Sequence, residues 1–230
     1  MSVTGTLAKV LTNYDSQKSL ASRLRAKRIA VFLKIIEDVH NEYGYVNIID
    51  IGGTEAYWNM VPMQYFDKHN VRITIVNLPR YTTQKDHGLF KFRAADACDL
   101  STFRDKSFHI AHSNSVVEHV GDWGRMIQFA NELSRVSQKY FVQTPNYWFP
   151  IEPHCLTPFF HWLPKRIKIW LVSHFQLGHW RRAATLEDAA RLVESARLLK
   201  KKMLQDLFMD AEIVTERFLW LHKSFIAVKR

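Results

Sequence analysis

Residues 46–58 read VNIIDIGGTEAYW: a β-branched apolar run, an acid near its end, two glycines and the start of a helical pattern. Ile48 and Ile49 suit a buried strand, and Asp50 closes it. Gly52 with Gly53 lets the backbone turn sharply with no Cβ in the way of a ligand. Strand, turn and helix in that order put backbone N–H groups and the positive end of a helix at the carboxyl edge of a parallel sheet, where open α/β sheets bind ligands. A glycine turn alone also fits an ordinary strand-to-helix connection, so the surrounding chain has to decide.

Outward from this stretch, strand and helix patterns alternate. Ala56 to Asn70 is expected to be helical, and Val71 to Val76 (VRITIV) a second strand with Asn77 at its tip. Doubly wound sheets often carry at that tip an acid that accepts ribose hydroxyls; here an amide stands there. Leu89 to Ala95 gives a third strand leading to Asp96 in RAADACDL, and Ser107 to Ser113 a fourth that opens into NSVVEHVGDW. Ile127 to Val136 is an amphipathic helix, and Tyr140 to Gln143 a fifth strand stopping at Thr144, Pro145 and Asn146. Such alternation calls for a parallel sheet with right-handed crossovers. Toward the N-terminus, Leu7 to Val39 reads as helix, with Leu20, Leu24, Ile29, Phe32, Leu33 and Ile36 on one side and Lys18, Arg23, Arg25, Lys27 and Arg28 between them. The basic side suits solvent, or else phosphate or an anionic lipid surface.

From Tyr147 to Arg182 the alternation stops. Pro150, Pro153, Pro158 and Pro164 exclude a long helix before residue 164, while Trp148, Phe149, Phe159, Phe160, Trp162 and Trp170 are interleaved with Lys165, Arg166 and Lys168. An irregular insertion at the carboxyl end of the fifth strand is placed to cover a substrate; large rings beside cations would equally serve contact with a membrane surface. Thr185 to Leu207 is expected to be helix, capped by Thr185 with Glu187 and Asp188 in its first turn. Ala211 to Leu219 and Lys223 to Val228 then form strands too closely joined for a crossover, hence antiparallel. The expected organisation is one domain: an N-terminal helical region (1–45), an α/β core (46–146), an aromatic and basic lid (147–184) and a C-terminal helix with a strand pair (185–230).

A chain of 230 residues with 47% apolar and 13% aromatic content can bury a substantial core. No apolar run reaches the roughly 18 residues of a membrane span, and MSVTGTLAKV lacks an apolar signal core, so a cytoplasmic protein is expected. Cys98 and Cys155 are the only cysteines, which excludes a disulfide framework and a cysteine-rich zinc site. A net charge of +10 favours anionic partners or simply serves solubility.

Taken together, DIGG after the first strand, the acid in AADACDL, SNSVVEHV after the fourth strand, TPN after the fifth and the closing antiparallel pair resemble the class I methyltransferases that use S-adenosylmethionine, within them the small bacterial type 11 group. The resemblance covers about residues 46–143 and 211–228, and SFHIAHSNSVVEHV is its most specific part. It implies a Rossmann-like, seven-stranded, mostly parallel sheet with a C-terminal antiparallel hairpin and helices on both faces. It further implies that Asp50, Gly52, Gly53 and Thr54 shape the pocket for the methionine end of the cofactor. Asn77 would face the ribose, Asp96 and Ala97 the adenine amino group, and Ser113, Asn114, Ser115 and Val116 the sulfonium. The family's glycine-x-glycine-x-glycine is here Gly52, Thr54 and Ala56, and its acid after the second strand is Asn77.

Methyl transfer from a sulfonium is an in-line displacement on an activated carbon, so the protein has mainly to hold the acceptor about 3 Å from the methyl and exclude water. A hydroxyl acceptor gains from a base, and histidine, with an unperturbed pKa of about 6.5, suits neutral pH. His154, in FPIEPH beside Glu152, and His119, just after the fourth strand, are the catalytic candidates; Glu152, Tyr147, Trp148 and His161 are candidates for holding the substrate. His112, inside a strand, is expected to be a core histidine. Histidine pairs at helical ligand spacing beside a carboxylate are lacking, so no metal is expected. The expected reaction is O-methylation of a small molecule or of a cell-surface glycan or lipid-linked precursor, with peripheral contact to an anionic membrane surface as a further role for the insertion. An RNA methyltransferase using the basic face and a binding protein that lost the chemistry are the alternatives; nucleic acid ranks lower because no RNA-binding appendage and no base-methylation signature is present.

Overall fold

The first strand is the centre of the molecule. In the computed structural model, which describes residues 20–230, β1 (Val46–Ile51) is hydrogen-bonded in parallel to β2 (Val71–Asn77) on one side and to β4 (Phe108–Asn114) on the other. With β3 (Phe90–Ala94), β5 (Ser137–Pro145), β6 (Glu212–Phe218) and β7 (Leu221–Lys229) it forms a seven-stranded sheet in the order β3-β2-β1-β4-β5-β7-β6. β5 pairs antiparallel with β7, and β7 with β6. The expected architecture, parallel first and antiparallel at the end, is what the chain adopts.

Alternation along β1 supplies both cores. Val46 and Ile48 pack against α1 (Leu20–Tyr43), whose Phe32, Ile35, Ile36 and Val39 are buried, and against Trp58 and Phe66. Ile49 and Ile51 face the opposite layer, built on Met126, Phe129 and Leu133 of α4 (Trp123–Val136) and Leu204 of α7 (Lys201–Leu207). A strand covered on both sides has no solvent face, hence the near-continuous apolar run.

Beneath the turn that follows β1, the Asp50 carboxylate is fully buried. It accepts one hydrogen bond from Trp58 Nε1 (2.7 Å) and one from His112 Nδ1 (2.7 Å). Gly53 lies directly on it, for a Cβ there would fall 1.7 Å from Asp50 Oδ2. Gly52 holds φ +73°, and its missing Cβ would meet Val116 Cγ2 at 2.5 Å. Both glycines are therefore required by contact, the first by its dihedral as well. His112 is the core histidine that its strand position suggests.

Several boundaries differ from expectation. Ala56 to Asn70 is not one helix: α2 (Glu55–Trp58) and α3 (Met63–Lys68) are separated at Pro62, which has no N–H to continue a helix and stands at the N-cap of the second. α1 runs on to Tyr43 and ends at Gly44, whose φ of +76° and bond to the His40 carbonyl (2.7 Å) close it; the part of the expected helix before residue 20 lies outside the described residues. The insertion is irregular up to Pro164 but then forms α5 (Lys165–His174). Thr185 to Leu207 is two helices, α6 (Leu186–Glu194) and α7, because residues 195–200 bond sideways: Arg197 N donates to the Glu118 carbonyl (2.7 Å) and Tyr147 N to that of Leu199 (2.9 Å). Thr185 caps α6 as expected, accepting from Asp188 N at 3.0 Å. α5 and α6 share a small core of Cys155, Phe160, Val172, Leu177 and Ala189. The last two strands are joined by only Leu219 and Trp220, so Leu221 and His222 belong to β7.

Arg28 ties α1 to the sheet. Its guanidinium donates to Glu216 Oε1 (3.2 Å) and Oε2 (2.8 Å), to Gln143 Oε1 (3.3 Å) and to Asn114 Oδ1. Both ions of the pair are nearly out of solvent. Burial works to raise the Glu216 pKa, but the charge and hydrogen bonds of Arg28, with a bond from Ser224, hold it below the ordinary carboxylate value. Arg28→Met would leave that carboxylate buried with no cation, and the expected loss is about 3–5 kcal/mol of unfolding free energy in urea titrations at neutral pH. The sign of the pH dependence also changes. In the parent, the Glu216 contribution is present above its unfolded pKa and lost as pH falls through the depressed folded one; in Arg28→Met the folded pKa is raised, so stability falls as pH rises past about 4.5. A loss under about 1 kcal/mol would show that the pair is not what anchors α1.

Candidate active site

The ends of β1 to β5 form one carboxyl edge. At the first turn Asn77 donates its Nδ2 to the Gly53 carbonyl (2.9 Å), tying the tip of β2 to the glycine pair. A carboxylate at this position would set one acceptor against another, which is the physical reason an amide fits here. Thr54 stands at the N-cap of α2 and makes no capping bond. Beyond β3, Asp96 accepts from Cys98 N (2.9 Å) and from Arg125 Nη2 (2.6 Å) and is 40% exposed, with Ala97 next to it. Burial acts to raise its pKa, yet the Cys98 N–H and the Arg125 guanidinium keep it lowered. Beyond β4, Ser113 is buried and donates to the Ile51 carbonyl (3.3 Å), Asn114 accepts from Arg28, and Ser115 takes a left-handed φ of +58° with its hydroxyl 2.9 Å from Gln143 Oε1. Val116 packs against Gly52. The chain thus sets all the expected cofactor residues at the tips of β1 to β4 or in the turns after them. Asp50 and Ser113 have their side chains buried in the core, so they support the turn from beneath.

Arg28 is absent from the expected site residues although it engages Asn114. The signal was present: Arg28, Phe32, Ile35 and Val39 recur at helical spacing, which puts the arginine on the packed side of α1.

A second group forms where the insertion meets the edge of β4. Glu118 and His119 lie in a single 3₁₀ turn (Val117–His119) and His154 lies 35 residues further along the chain. His119 Nδ1 is 2.7 Å from the Ser195 carbonyl, His154 Nδ1 is 2.7 Å from Glu152 Oε1, and the two Nε2 atoms are 3.0 Å apart. The other Glu152 oxygen accepts from the backbone N–H groups of His154 (2.8 Å) and Cys155 (2.7 Å). Although burial alone would push the His154 pKa down, the hydrogen bond and charge of Glu152 raise it. Glu118 is buried, accepts from Thr144 Oγ1 through Oε2 (3.0 Å), and is pushed up by burial to a pKa of about 7. Its Oε1 has no hydrogen-bond partner.

Beside this group a cavity of about 370 Å³ opens between the insertion and α6 and α7. Tyr147, Glu152 and His161 line it, with Phe160, Trp180, Lys168, Arg197 and Lys200. His161 Nε2 donates to the Tyr147 carbonyl (2.7 Å), and its buried Nδ1 is unpaired. Trp148 is not in the lining: it is 59% exposed, and the Lys200 ammonium sits 5.2 Å from its ring. Of the residues expected to hold a substrate, three reach the cavity and one lies outside it.

Residues 61–139 match a family model described as a methyltransferase domain. No curated protein matches the chain. Among solved structures, the chain is similar to a SAM-dependent methyltransferase from Methanosarcina mazei (16% identity, 80% of this chain and 92% of that one, TM-score 0.45). It is also similar to an O-methyltransferase family protein from Burkholderia thailandensis (11%, 91% and 57%, TM-score 0.49). A third is phosphoethanolamine N-methyltransferase 2 of Haemonchus contortus, solved with phosphomonomethylethanolamine and S-adenosylhomocysteine (14%, 74% and 35%, TM-score 0.45). The chain spans little more than half of the Burkholderia protein and about a third of the Haemonchus one. The segment that carries the methyltransferase-domain match thus runs from the connection after β1 through β2, β3, β4 and α4 into β5 of the sheet ordered β3-β2-β1-β4-β5-β7-β6.

Proposed function

We propose that this is a cytoplasmic enzyme that moves the methyl group of S-adenosylmethionine to a hydroxyl oxygen of a small molecule, or of a cell-surface glycan or lipid-linked precursor. The observation that carries this reading is the Glu152–His154 hydrogen bond, with His119 Nε2 3.0 Å from His154 Nε2, beside the cavity at the carboxyl edge. Glu152 fixes the proton of His154 on Nδ1, which leaves Nε2 with a lone pair for an acceptor proton. In the transfer the hydroxyl oxygen bonds to the methyl carbon, the carbon–sulfur bond breaks with its electrons passing to sulfur, and the hydroxyl proton goes to His154. Tyr147 and Trp180 offer a ring or sugar flat apolar area, and Lys168, Arg197 and Lys200 suit an anionic substituent on the same molecule. In this reading the cofactor's methionine end lies over Gly52, Gly53 and Thr54, its ribose at Asn77, its adenine at Asp96 and Ala97, and its sulfonium near Asn114, Ser115 and Val116.

The insertion supports one further partner. Phe159, Trp162, Ile167, Trp170 and Phe175 are all exposed, with Arg166 between them, a composition suited to the interface of an anionic membrane that carries a lipid-linked acceptor.

Asp96→Ala is expected to weaken S-adenosylhomocysteine binding in calorimetry by about 1–3 kcal/mol, the contribution of a hydrogen bond to a charged group. Unchanged affinity would remove Asp96 from the adenine site. His154→Ala is expected to lower kcat by about 10²–10⁴ with cofactor affinity retained; the acceptor for that assay comes from screening labelled-methyl incorporation into cell extracts. Full activity in this variant would sink the base assignment. For the membrane contact, co-sedimentation with vesicles containing phosphatidylglycerol should fall severalfold in Trp170→Glu, and equal pelleting of parent and variant would count against it.

A further inference from the structure

We propose that Glu118, His119 and His154 form a binding site for a divalent transition-metal ion of the zinc class. One donor atom from each lies within 4.8 Å of the other two, although the residues come from two separate segments. Ligand spacing along a single helix cannot reveal such a site, so the expectation of no metal overlooked it.

The imidazoles are held as ligands are held. The Glu152 carboxylate and the Ser195 carbonyl can only accept, so both His154 Nδ1 and His119 Nδ1 must donate. Both Nε2 atoms are then lone-pair acceptors, and they face each other at 3.0 Å. Two such lone pairs repel unless a proton or a cation lies between them. A carboxylate or backbone carbonyl on the far nitrogen is the usual support of a metal-bound histidine, fixing its tautomer and raising its basicity.

Glu118 supplies the second independent observation. Its Oε2 is taken by Thr144, while Oε1 is buried and makes no hydrogen bond, a condition that buried polar atoms rarely keep. A cation shared with the histidines would satisfy it. Two histidines and one carboxylate are a common catalytic zinc set with a position left open, and about 2.1 Å bonds in tetrahedral array put the donors about 3.4 Å apart. The histidine pair, at 3.0 Å, is slightly tighter than this and Glu118 lies within 4.8 Å of both, so small rotations of the rings and carboxylate complete the set. His119 is exposed, which lets solvent or an acceptor oxygen reach the open position. An ion there would take up the His154 Nε2 lone pair, so the loaded site would promote loss of the acceptor proton to solvent in place of His154 accepting it; that role rests on the methyl-transfer reading, whereas metal uptake does not.

The test uses untagged protein stripped with chelator, then equilibrated with Zn²⁺ and separately with Co²⁺. Expected are one tightly held equivalent of zinc per chain at micromolar concentration and visible d–d bands of four-coordinate cobalt. Glu118→Gln and His119→Ala should each weaken uptake at least tenfold, and Glu152→Gln by about 10–100-fold through the ring it orients. His119→Ala removes an exposed ring, so it decides the matter should Glu118→Gln fail to fold. Absence of stoichiometric zinc, or zinc retained equally by His119→Ala and the parent, overturns the site. Calorimetry with S-adenosylhomocysteine on the same samples judges the cofactor reading separately.

Discussion

The buried Asp50 carboxylate is the constraint on which the rest of this fold turns. It sits at the end of the central strand with Trp58 from the following helix and His112 from the neighbouring strand as its two donors. Those bonds fasten β1, α2 and β4 to one another, and Gly53 can cross above only because it has no side chain. Removing the acceptor would strand two donors in the core, each costing about 1–3 kcal/mol. The glycine turn is therefore shaped from below by packing and hydrogen bonding, and Gly52 N–H ties it sideways to the Val76 carbonyl of β2 (2.8 Å).

How far the sequence could be read depended on whether local chemistry or tertiary contact set each element. The mostly parallel sheet with its antiparallel end was legible because β-branched runs, glycine turns and amphipathic stretches all agree, and a parallel sheet follows from crossovers long enough to hold helices. The break at Pro62 was missed by the expectation of one helix over Ala56 to Asn70, although proline lacks the N–H a continuous helix would need. The interruption between α6 and α7 was not: Ser195 to Lys200 includes no proline or glycine, and the helix gives way because Arg197 and Leu199 bond to other segments. The candidate site divides in the same manner. Turns at strand ends mark where Gly52, Asn77, Asp96 and Asn114 must fall, whereas the meeting of His119 with His154 depends on the path of a proline-rich insertion that no periodicity describes.

The substitution of an amide at Asn77 illustrates how one position can answer to two demands. An acid there would accept from a ribose but would repel the Gly53 carbonyl; the amide joins that carbonyl through nitrogen and keeps an oxygen for a hydroxyl. Asp96 meets a comparable pair of demands through Arg125, whose guanidinium occupies one carboxylate oxygen while the Cys98 N–H occupies the other. Each oxygen retains a second lone pair.

The two halves of the histidine pair belong to different parts of the chain. His119 is fixed to the sheet by its short turn, and His154 rides on the insertion, whose own small core joins it to α6. Were the insertion to swing outward with that core to admit a bulky acceptor, it would carry one imidazole away from the other. Under the base role proposed above for His154, such a swing would couple reactivity to closure, with the open mouth chemically silent and the filled, shut one armed.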